Sequence, residues 1–114
     1  MESILTSIKK LLGIEEDYTQ FDQDIIVHIN SVFLNLNQIG VGPEEGFYIE
    51  DKTSEWVDFI GDDVRLQAVK TYVYLKVKLL FDPHALSSPV IESMNRTIAE
   101  LEWRLMAAVD GNSE

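Results

Sequence analysis

Cysteine is absent from this 114-residue chain, proline occurs three times, and nine Lys and Arg face twenty Asp and Glu, a formal net charge of −11. Without cysteine there is no disulfide framework and no thiolate metal site, which fits a reducing compartment. The shortage of basic residues argues against gripping a phosphate backbone, which needs clustered Lys and Arg. No apolar run approaches the ~18 residues needed to span a bilayer, so no membrane association is expected. Met1 to Gly13 holds Lys9 and Lys10 within its apolar pattern, has no cleavage-site signal and does not read as a signal peptide. What is present is 46% hydrophobic residues, ordinary globular content in a chain of one-domain length.

The charge is unevenly placed. Residues 1–63 hold fourteen acids against three lysines, whereas residues 64–114 hold six of each sign. The first half can therefore repel nucleic acid or meet a basic partner, or simply be a solvated acidic surface.

Apolar spacing predicts an all-α fold, a small bundle of four to five helices forming one domain over 1–114. Helices are expected near 3–12, 20–39, 54–60, 63–82 and 88–109. Ile4, Leu5, Ile8, Leu11 and Leu12 form the first stripe, closed by Gly13. Thr19 and Asp22 fit a capping box ahead of Ile25, Ile29, Val32, Leu36 and Ile39, and Gly40 and Gly42-Pro43 end that helix. Ser54 is the expected cap of a short helix holding Trp56 and Phe59, closed by Gly61, and Asp62 or Asp63 that of the next. This next helix carries two adjoining apolar sets, one of Leu66, Val69, Val73, Val77 and Leu80 and one of Val64, Ala68, Tyr72, Leu75 and Leu79. It must be central. Lys76 and Arg65 project between the sets and must snorkel or meet a carboxylate. Ser88-Pro89 reads as an N-cap followed by proline at the first helical position. Gly111 to Glu114 should fray. Residues 43–53 form an irregular insert in which Phe47, Tyr48 and Ile49 suit either a short strand or a loop, and long loops of this kind are often contact elements.

Little in the sequence points to chemistry. His28 falls on a polar helix side and His84 in a turn, neither with a second ligand at metal spacing. Phosphate-loop and nucleophile-elbow motifs are missing. Glu44, Glu45, Glu50 and Asp51 lack the spacing of a calcium loop and lie in the most flexible-looking segment. No enzyme, catalytic residue, cofactor or metal is expected.

The last helix is the informative one. Ile91, Met94, Ile98, Leu101, Leu105 and Ala108 make one buried stripe. At about 100° per residue, Trp103 lies roughly 160° from its middle, flanked by Ala99, Met106 and Ala107. Either this helix is wedged between two others of its own chain, or the second patch meets another molecule.

The segments ILTSIKKLLG, YTQFDQDIIVHINSVFLNLNQIGVG, EWVDFIGDD, LQAVKTYVYLKVKLLFDP and ELEWRL, in this order, cover nearly the whole chain. Together they resemble the small head–tail connector (adaptor) proteins of tailed phages and prophages. That resemblance implies a helical bundle assembling as a ring, a dodecamer on the portal, with a stopper or tail-completion protein below and DNA passing through without specific binding. It implies a place at the head–tail interface of the virion and in the host cytoplasm during assembly. The portal-docking stretch would be Glu100 to Val109, including Arg104, with Trp103 as anchor. The very short tail after Asp110 departs from a long portal-embracing arm. A ring subunit needs complementary surface on two flanks, for which the Trp103 patch and the 43–53 loop are the candidates. The alternative is a small acidic regulator or DNA mimic acting on a basic partner.

Overall fold

The computed structural model describes residues 3–61 and 65–112, the last five of these as backbone only. Among them are five α-helices, α1 (Ile4–Leu11), α2 (Asp22–Gln38), α3 (Trp56–Ile60), α4 (Leu66–Phe81) and α5 (Ser88–Asn112), with a 3-10 turn at Pro83–Ala85. The fold is an all-α bundle, and no strand occurs among the described residues. The nearest thing to one is an isolated antiparallel bridge between Ser3 and Glu55. Segment 43–53 is therefore a loop.

Each helix end has a local cause. Ser3 Oγ accepts the Thr6 N–H at 3.2 Å and starts α1. At its other end Gly13 takes φ +82°, its N–H donates to the Lys10 carbonyl and that of Ile14 to the Lys9 carbonyl. This is a Schellman closure, open to glycine because a Cβ disfavours positive φ. Gly40 and Val41 repeat it at the end of α2, donating to the Asn37 and Leu36 carbonyls, with Val41 buried behind the turn.

Three predicted caps are corrected. Helix α2 starts at Asp22 with no side-chain cap, because the Asp22 carboxylate is drawn instead to the Lys9 ammonium, 2.8 Å away. The Ser54 carbonyl accepts the Ile4 N–H, and Glu55 caps α3 through a reciprocal box with Asp58. At α5 the Ser87 hydroxyl accepts the Val90 N–H, so the cap lies one residue earlier than expected and Pro89 is the second helical residue. Helix α5 continues through Gly111 to Asn112, where fraying was expected. Val64 and the candidate caps Asp62 and Asp63 lie outside the described residues, as does the side chain of Ala108.

Helix α4 is central, packing on α2 and on α5. Val69, Tyr72, Val73 and Val77 are buried, while Leu80, expected in the same set as the valines, is half in water. Lys76 lies over the Tyr72 ring and comes to 4.0 Å from the Glu102 carboxylate, so it both snorkels and finds an acid. Phe33, Phe47, Phe59 and Trp56 form an aromatic group under the 43–53 loop. The Trp56 indole N–H donates to Ser7 Oγ at 2.8 Å, fastening α3 to α1. Gly42 sits at φ +91°, where an added Cβ would run into the Phe59 ring, so the loop reaches this close only through glycine.

Candidate functional site

The outward face of α5 is built by what lies behind it. Ile98 and Leu105 are buried on the opposite side, against the core. The Tyr72 hydroxyl of α4 donates to Glu102 Oε2 at 2.7 Å and fixes the helix rotation. Burial first, then the hydrogen bond to Glu102 and its negative charge, push the Tyr72 hydroxyl well above its ordinary pKa, so it remains a donor. With α5 held this way Trp103 stands in solvent, 71% exposed, beside Met106, also well exposed. Ala99 and Ala107 are exposed on the same face, and Arg104 is closed into an ion pair with Glu100 at 2.6 Å. The wedged-helix alternative is thereby overturned: α4 is the helix α5 packs on extensively, and the indole is not sealed inside the chain.

The three loop candidates separate. Tyr48 is 66% exposed, but Ile49 is 1% exposed and belongs to the core. Phe47 is half-buried, 5.2 Å from the Phe33 ring and 5.3 Å from that of Phe59. Ile49 and Phe47 are thus corrected from contact residues to anchors, because the loop needs apolar side chains to hold it down. Two asparagines complete the attachment. Asn30 accepts from the Ile49 N–H at 2.7 Å and donates to its carbonyl at 2.9 Å, imitating a strand partner. Seven residues on, Asn37 donates to the carbonyls of Pro43 and Glu44. The loop is consequently laid alongside α2, not free as its composition suggested.

Two surfaces were missed in the sequence. One is the outward face of α2, where Val27 and Leu34 are 64% and 59% exposed. Its signal was present: Ile25 to Pro43 contains no Asp, Glu, Lys or Arg. The other is an acid-rich open cleft of about 810 Å³ beside α1, with Glu15, Glu16, Asp17, Glu50 and Asp51 at its walls. Its floor holds Lys9, 2% exposed, whose ammonium donates to the carbonyls of Glu16 (2.9 Å) and Tyr18 (2.7 Å) and pairs with Asp22.

Of the four loop acids considered together, Asp51 is occupied locally. The side chain and the N–H of Thr53 donate to its carboxylate and hold its pKa below the ordinary value. His28 is half-buried on α2 and His84 exposed in the 3-10 turn. Among the described residues no three His, Cys, Asp or Glu side chains gather as for a metal ion, and no helix is long and apolar enough to cross a membrane. The arrangement offers surfaces for contact.

Neither a curated protein nor a solved structure matches the chain. A protein-family model does: the one described as "Phage connector protein" matches residues 4–112. With a match from the first turn of α1 to the end of α5, the chain belongs to the phage connector protein family.

Proposed function

We propose that this chain is a structural, non-enzymatic head–tail connector subunit that docks beneath the portal of a tailed phage or prophage as a dodecameric ring. The ring joins the capsid to a stopper or tail-completion protein and leaves a channel through which DNA passes. The single observation that carries this reading is the exposed indole of Trp103, on a helix whose other face is already buried. A large aromatic exposed in this way marks a place where a partner removes water. The net charge of −11 supports a passage that does not grip DNA.

The test is reconstitution with the portal ring and major head particles of the same phage. Binding of the wild-type chain, seen as added density beneath the portal in electron micrographs, is the expected result. Trp103→Ala should weaken assembly by roughly 2 kcal/mol or more, about thirtyfold. A wild-type chain that ignores the portal, or a ring whose bore is lined by lysine, would overturn the reading. The acid-walled cleft beside α1 favours the second reading, an acidic regulator of a basic partner. Stable capture of a nucleic-acid-binding protein, without portal binding, would establish that instead.

A further inference from the structure

The outward face of α2 is unusual for so acidic a chain. Val27, Ser31, Leu34 and Gln38 follow one another at helical spacing along it, all exposed and none charged. The asparagine attachments hold the loop against α2, with Tyr48 exposed next to the anchored Ile49. On α5, Ala99, Trp103, Met106 and Ala107 are also exposed and uncharged, one turn beyond exposed Arg96, and the flanking Glu100 and Arg104 neutralise one another. Helix α4 packs against both α2 and α5, and each of these faces is turned away from its own buried stripe. The molecule is flat, 44 × 35 × 20 Å.

We propose that the two faces are the halves of one interface, the Trp103 face of one copy seating on the Val27–Leu34 face of the next, with the indole in the gap over Ser31. This rests on the connector reading and names the contact between neighbouring subunits. The occupant follows from charge. A basic partner gains from the acid-walled cleft and nothing from a strip without charges. A second copy brings the same −11, is repelled from acidic surface, and approaches closely only where both sides are neutral. Because unlike faces meet, the contact is head-to-tail and propagates into a ring or a filament. A dimer built on one face pairing with itself would not.

The natural absence of cysteine makes the test direct. Chains carrying Ser31→Cys and Ala107→Cys are mixed in equal amounts under mild oxidation, concentrated alone and with the portal ring. The mixed disulfide should exceed either like-with-like product by roughly tenfold. Leu34→Glu in the first chain should lower it by about tenfold, and Met106→Lys in the second should restore it. Like-with-like products in equal or greater yield overturn the proposal. So does a mixed yield no higher than that of a Glu16→Cys control. If that happens while the wild-type chain still binds the portal, the Trp103 face belongs to the portal and only the copy-to-copy contact falls. If portal binding also fails, the connector reading falls with it.

Discussion

Lys9 donates ammonium protons to the carbonyls of Glu16 and Tyr18 and forms an ion pair with the Asp22 carboxylate at 2.8 Å. The charge is nearly sealed from water, yet it is met by two carbonyls and an opposite charge, which is the condition under which burying an ion is tolerated. The consequence is structural: one side chain of α1 closes the connector 14–19 onto the start of α2. Lys9→Met keeps the hydrocarbon stem but strands two carbonyls and a partly buried carboxylate. It should cost about 3–5 kcal/mol, read as a lower urea midpoint at unchanged slope. A change below about 1 kcal/mol would mean that the connector is held by other contacts. Periodicity placed Lys9 inside an apolar pattern but gave no reason for it, because two of its acceptors are backbone carbonyls and every residue has one. Asn30 was silent for the same reason, since its partners are the N–H and C=O of Ile49.

Among the elements, the helices were the most legible part of the chain, because each buried stripe repeats at the helical period and those of α1 to α4 are followed by glycine or proline. Helix α4 was recognised as central from its two apolar sets, and Val73 is fully buried. Val73→Ala should lower stability by about 2 kcal/mol through the cavity it leaves, measurable by urea denaturation. Cap positions were less legible: packing draws the Asp22 carboxylate to Lys9 and the Ser54 carbonyl to the Ile4 N–H, while at α5 the neighbouring Ser87 takes the cap. Loop 43–53 was misjudged as loose because its anchors lie on α2 and α3, distant in sequence. The joint between α4 and α5 depends on Tyr72 remaining protonated against Glu102. Its folded-state pKa is raised, so its contribution is intact below the ordinary tyrosine value of about 10 and declines as pH rises beyond it. The unfolded chain releases this proton first. Wild type should therefore lose stability above about pH 10 more steeply than Tyr72→Phe, as followed by thermal melts across pH. Identical slopes would show that the hydroxyl does not couple the two helices.

For the molecule as a whole, the outward side of α5 was legible because its apolar residues fall off the buried stripe. The side of α2 was overlooked, although Val27 and Leu34 fall off theirs in the same way. A chain with twenty acidic residues against nine basic ones needs neutral ground wherever it is to touch its own kind, and α2 and α5 supply it. Trp103→Ala should leave the melting of the free subunit within about 0.5 kcal/mol of wild type while weakening assembly. A large stability loss would put the indole among the fold's supports. The unequal surroundings of the two tryptophans have an optical consequence. Trp56 is enclosed and Trp103 stands in solvent, so the first should emit toward the blue and the second toward the red. As neighbours cover Trp103, only the red component should shift and escape quenching by iodide. The protein thus carries an intrinsic fluorescent gauge of its own incorporation, with Trp56 as the steady reference.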